Sequence, residues 1–100
     1  MTSSRPYLVR AMYQWIVDNG MTPHLLVNAE HENCMVPAGH INDGKIVLNI
    51  APMAVQGLTL GDDEVIFSAR FSGKAESILV PVPAILAVYA RENGQGMMFS

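Results

Sequence analysis

Glu64-Val65-Ile66-Phe67-Ser68-Ala69-Arg70-Phe71-Ser72 is the stretch on which the fold turns. Val65, Phe67, Ala69 and Phe71 fall on one side of a period-two repeat, and Ile66, Ser68, Arg70 and Ser72 fall on the other. Such alternation reads as a strand with one face in a core and the other at least partly wet. Turn signals bracket it: Gly61-Asp62-Asp63 before, and Gly73-Lys74 after, leading into a further strand over Ala75 to Val80.

Toward the N-terminus the pattern stays β. Ala51 to Leu60 holds Pro52 and Gly57 and reads as a turn with an extended piece at Leu58 to Leu60. Lys45 to Ile50 is a strand that leaves the hairpin turn Asn42-Asp43-Gly44, where Asp-Gly accepts the positive φ values of a primed turn. It is apolar on both faces except at Asn49, which predicts a central strand. His24 to Ala29 is a further strand, Glu30 to Met35 a polar loop, and Val36 a short extended piece before Pro37.

The two ends read as helices. Residues 5 to 19 follow the caps Ser3 or Ser4, carry Pro6 in the first turn and stop at Gly20. Pro83 starts a short second helix over Ala84 to Glu92, ended by Gly94. One helix, about five short strands and one short helix predict a single domain over residues 1–100. Its strands form a small barrel or strongly curved sheet, with the first helix packed at one end.

The first helix carries too much apolar surface for one buried face. Arg10, Gln14 and Asp18 make one narrow polar stripe, and Leu8, Val9, Met12, Tyr13, Trp15 and Ile16 are among the apolar residues filling the rest. Half of the chain is hydrophobic before its 8 glycines are added; soluble domains typically reach roughly 45–50% with glycine included. A 100-residue chain buries only about two-thirds of its surface. The excess predicts a subunit interface, a ligand groove, or both. Burial of the whole helix within one domain is the alternative.

Several function classes are excluded or disfavoured. Net charge is −3 with only 6 Lys and Arg, scattered along the chain, which argues against a nucleic-acid surface. A single cysteine, Cys34, cannot form an internal disulfide and fits a reducing cytoplasm. The longest uncharged stretch, Ser77 to Ala90, contains Pro81 and Pro83 and is too short for a membrane span, and the N-terminus lacks the order of a signal peptide. His31, Cys34 and His40 with Glu30 or Glu32 match no recurring metal spacing, so no metal or cofactor is expected. No nucleophile elbow and no phosphate loop occurs, so the chain does not read as an enzyme.

Binding remains. Small Ser68 and Ala69 beside large Phe67 and Phe71 can form a shelf for an extended peptide, with Arg70 selecting acidic or polar ligand residues. Plain core packing is the competing account of Phe67 and Phe71. Lys45 to Ile50 and the turn Ala51-Pro52-Met53-Ala54-Val55 offer a second apolar wall, with Met53 adaptable.

A set of motifs covers nearly the whole chain in unbroken order: Arg5-Pro6-Tyr7-Leu8 through Trp15 and Asp18-Asn19; Thr22-Pro23-His24-Leu25; Ile46-Val47-Leu48-Asn49-Ile50-Ala51-Pro52 with Ala54-Val55; Asp63-Glu64 with Phe67; Ala69-Arg70-Phe71; and Tyr89-Ala90-Arg91-Glu92-Asn93-Gly94 with Phe99. Together they resemble the stringent starvation protein B (SspB) family. The resemblance implies an Sm-like or SH3-like β-barrel that dimerises through its N-terminal helix. It implies a non-enzymatic adaptor that binds ssrA-tagged polypeptides and tethers them to the ClpX unfoldase of ClpXP. On the matching motifs, peptide contact is expected at Asn49, Ile50, Ala51, Pro52 and Met53, and at Phe67, Ser68, Ala69, Arg70 and Phe71. The homodimer interface is expected at Leu8, Val9, Met12, Tyr13, Trp15 and Ile16. Family members continue into a flexible acidic tail that docks on ClpX, whereas this chain stops at Ser100, so the expectation is the tag-binding and dimerisation domain alone. Met53 stands where relatives can carry Arg. An RNA-binding Sm-like module and a purely structural dimer are the competing readings.

Overall fold

The computed structural model describes residues 1–99. Helix α1 spans Arg5–Asp18. The Ser3 hydroxyl accepts the Arg5 amide at 3.1 Å, and the left-handed Gly20 (φ 71°) closes the C-terminal end, as the sequence predicts. Seven strands follow: β1 (Pro23–Asn28), β2 (Lys45–Asn49), β3 (Val55–Leu60), β4 (Glu64–Phe71), β5 (Lys74–Pro81), β6 (Ile85–Ala90) and β7 (Gly96–Met98). They form two antiparallel sheets, ordered β2-β1-β6-β7 and β3-β4-β5.

The sheets do not close into one barrel. The chain crosses from the second sheet to the first at Pro81-Val82-Pro83, where a three-residue 3₁₀ turn over Val82–Ala84 replaces strand pairing. Proline has no amide to give to a ladder, so a strand ends where two of them flank one residue. The inner faces of both sheets supply the core: Leu25, Val27, Ile46, Leu48, Val65, Phe67, Ile78, Val80 and Val88, with Val9 and Ile16 of α1 packed among them.

Two sequence expectations fail here. The segment Ala84 to Glu92 is not a helix: Pro83 begins only the 3₁₀ turn, and Ile85–Ala90 is β6, paired with β1 on one side and β7 on the other. A short apolar run buried on both faces looks the same whether helical or extended, and its β-branched and aromatic content (Ile85, Val88, Tyr89) favours the strand. Conversely, β2 is not central. It lies at a sheet edge with Lys45, Val47 and Asn49 exposed and only Ile46 and Leu48 between them buried. Val47 alone made its outer face look apolar. The strand β7 had no sequence signal, being three residues long. Gly96 is required there, because a Cβ would collide with the Val88 carbonyl oxygen of β6.

The hairpin turn after Asn42 holds, whereas the turn expected at Gly73-Lys74 falls one residue earlier, on Ser72 (φ 54°) and Gly73 (φ 79°), and the extended piece expected at Leu58 to Leu60 begins already at Val55. Asp43 (φ 57°) and Gly44 (φ 75°) form the primed hairpin turn between Asn42 and Lys45, which exchange backbone bonds of 2.7 and 3.1 Å. The alternation in β4 is as read: Val65 and Phe67 are buried, while Glu64, Ile66 and Arg70 are exposed.

Candidate peptide groove and helix face

The outer face of the second sheet is built in rows set by strand register. Arg70 stands opposite Ala75, and Ser68 stands between Gln56 of β3 and Ser77 of β5. Residues directly opposite in an antiparallel pair point to the same side, so these short side chains make a low floor. Over it Met53, Ala54, Gln56, Ser68, Arg70 and Ala75 enclose an open groove of about 300 Å³. Met53 is fully exposed and forms one rim. The Arg70 guanidinium donates to the Gly73 carbonyl oxygen at 3.1 Å, and among the described residues it pairs with no carboxylate. The groove therefore offers a cation, an adaptable thioether and a floor that lets a backbone approach.

The structure divides the expected peptide residues. Met53, Ser68, Ala69 and Arg70 line this groove together. Ile50 does not: it is wholly buried in the core, its amide bonded to the Pro23 carbonyl at 3.0 Å. Phe67 likewise packs into the core, at 5% exposure. Phe67 lies on the inward parity of β4, and Ile50 continues the inward parity of Ile46 and Leu48 one residue past the end of β2. Asn49 turns its carboxamide oxygen to the Ala51 amide at 2.9 Å and so shapes the bend that presents exposed Pro52 and Met53. Phe71 is half-buried with its ring edge-to-face against His40, centroids 5.2 Å apart. Sequence reasoning missed Gln56 and Ala75. Only the strand pairing places them beside Ser68 and Arg70, although the turn at Gly73 could have pointed to Ala75 as the partner of Arg70.

The nucleophile and metal candidates lie elsewhere. Burial pushes the Cys34 thiol up, away from the reactive thiolate. His40 is occupied with Phe71, and His31 sits with Nδ1 at 2.6 Å from the Glu32 carbonyl oxygen.

Helix α1 has a covered side and an open side. Val9 (1% exposed) and Ile16 (2%), both expected at the subunit interface, are instead buried in the chain's own core and do not lie on the open side of the helix. They face inward because they lie seven residues apart, two turns along one stripe. Arg10 fastens the same helix to the turn before β4, pairing with Asp62 and donating to the Leu60 carbonyl, both at 3.0 Å. Leu8, Met12 and Tyr13 are half-buried, whereas Tyr7 and Trp15 stay about half exposed. Trp15 also borders a hollow of about 100 Å³ with Asn19, Met21, Asn93 and Gln95.

No helix among the described residues is long and apolar enough to cross a membrane. Residues 3–100 match the family described as SspB, stringent starvation protein B. A stringent starvation protein B homolog of Haemophilus influenzae is 48% identical over 95 residues, which is 95% of this chain and 63% of that protein. The chain thus spans a little under two thirds of the length of that relative. A match over nearly all of its residues, together with close identity to a curated relative, places the chain in the stringent starvation protein B family.

Proposed function

We propose that this domain is a non-enzymatic proteolysis adaptor of the cytoplasm. It binds the ssrA degradation tag as an extended peptide in the groove over β4, and two copies pair through the open side of α1. The observation that carries this reading is Arg70, a cation without a carboxylate partner among the described residues, lining one groove with Ser68, Ala75 and exposed Met53. An extended chain carrying carboxylate and small side chains fits such a surface through backbone approach and one charge-assisted contact. In the whole protein, tethering to the ClpX unfoldase of ClpXP raises the effective concentration of cargo at that enzyme. Two grooves in a dimer make the attachment bivalent.

Titration of a fluorescent ssrA peptide, followed by anisotropy, tests the reading. Saturable binding is expected, with affinity falling at least tenfold, about 1.4 kcal/mol, in Arg70→Glu. Absence of saturable binding, or an Arg70→Glu variant that binds as tightly as the parent, would overturn it.

A further inference from the structure

Met53 is placed unlike any other methionine among the described residues. Met12, Met21 and Met97 are half-buried, and the first two pack against the core. Met1 and Met98 are exposed but lie outside the groove. Met35, 58% exposed, is bridged to Leu79 and borders a neighbouring hollow on the outer face of β4 and β5. Met53 alone is both fully exposed and a wall of the groove that holds Arg70.

The bend that carries Met53 is fixed at its backbone. The Asn49 carboxamide oxygen accepts the Ala51 amide, and the Ala51 carbonyl oxygen accepts the Ala54 amide, both at 2.9 Å. Pro52 between them has its φ set by its own ring. The Met53 side chain, by contrast, takes no part in the core. An atom added to its sulfur therefore meets the groove and disturbs no packing. The one thiol is a poor competitor for an oxidant: Cys34 is half-buried, and burial pushes it up, away from the thiolate that reacts with peroxide.

We propose that Met53 is a site of reversible oxidation, whose sulfoxide lowers the affinity of the groove for an acidic peptide. This rests on the peptide-binding reading above and adds a redox control to the same groove. The oxidant is a peroxide. A lone pair of Sδ takes one oxygen atom from hydrogen peroxide, the O–O bond breaks, and the other oxygen leaves as water. Sulfur is oxidised by two electrons and the peroxide is reduced by two. A dithiol reductase reverses the step, removing the oxygen as water while its two thiols become a disulfide. Oxidation turns an apolar, adaptable rim into a polar one. It also brings a strong acceptor oxygen into the groove of Arg70, a guanidinium that meets no carboxylate among the described residues. The sulfoxide then competes with a ligand carboxylate for the same donors.

The test treats the full chain with graded hydrogen peroxide, locates the oxidised methionines by peptide mapping, and titrates a fluorescent ssrA peptide at each dose. Met53 should gain its oxygen before Met12, Met21 and Met97. Affinity should fall roughly fivefold in step with it, the scale of one net hydrogen bond. Methionine sulfoxide reductases with dithiothreitol should return it, and the circular dichroism spectrum should stay native throughout. Met53→Leu keeps Cys34 and every other methionine, so peroxide should leave its affinity where the untreated variant has it. Full affinity with Met53 oxidised, or an equal loss in peroxide-treated Met53→Leu, would overturn the proposal and leave the groove standing. So would loss of the native spectrum as Met53 is oxidised, because the effect would then come from unfolding. If the untreated chain binds no ssrA peptide, or Arg70→Glu binds it as tightly as the parent, the peptide reading falls and the redox control falls with it.

Discussion

Helix α1 and strand β4 solve the same problem in different ways. Each buries one side in the common core, through Val9 and Ile16 in the helix and Val65 and Phe67 in the strand. Each leaves its other side to solvent. On the helix that side is convex and bulky, with Tyr7 and Trp15 about half exposed. On the strand it is an open groove floored by short side chains, with one cation that among the described residues meets no carboxylate. A bulky convex stripe suits a partner that is itself folded, such as a second copy of the chain. A low floor between rims suits an extended chain whose backbone must come close. Leftover apolar surface is therefore not one kind of site; its shape decides what can cover it.

The sharpest way to break this comparison is to exchange the two sides of α1. Ile16→Asp places an unpaired carboxylate at a position 2% exposed. It should cost about 4 kcal/mol or more, against a total of roughly 5–15 for a domain, and leave little folded protein by circular dichroism. Trp15→Asp, one residue away on the open side, should keep the native spectrum and its groove affinity while sedimenting as a monomer. If Trp15→Asp remains a dimer, the pairing face lies elsewhere.

A smaller effect separates the two surfaces by their chemistry. Raising salt from 0.1 to 1 M shortens the screening length from about 10 to about 3 Å. Peptide affinity should fall about threefold if it rests on a contact with exposed Arg70. Association through Tyr7 and Trp15 should hold or strengthen, and an equal loss in both would contradict the assignment.

The smallest effect concerns how the rear of α1 is held. The Thr22 amide (2.9 Å) and hydroxyl (2.7 Å) both donate to the Glu92 carboxylate, tying the connection after the helix to the end of β6. The amide bond first, then the hydroxyl, bring the Glu92 carboxyl down from 4.5 to about 2. A depressed carboxyl stabilises the fold above its unfolded pKa, and that contribution fades as pH falls from about 4.5 toward 2. Urea midpoints of the parent and Glu92→Gln should differ slightly at pH 6 and converge near pH 2. A constant gap at both would show that the bonds do not depend on the charge.

The local signals in the chain were sound wherever a residue's neighbours in sequence decide its state. Pro6 and Gly20 bound the helix, Asp43-Gly44 makes the primed hairpin, and β4 alternates, each because backbone sterics or side-chain parity act over a few residues. The excess of apolar side chains on α1 was equally legible, and it survives as exposed Tyr7 and Trp15. Arg70 and Ser68 could be singled out from the strand that carries them.

Pairing decided the rest. Ile85–Ala90 becomes a strand because β1 and β7 flank it, Lys45–Asn49 is an edge because among the described residues only β1 pairs with it, and Ile50 and Phe67 leave the expected site for the core. Gln56, Ala75 and Met35 reach the outer face of β4 from positions distant in sequence. Parity along one strand tells which way a side chain points, but which residue lies beside it depends on contacts whose register is set by the packing of the whole core.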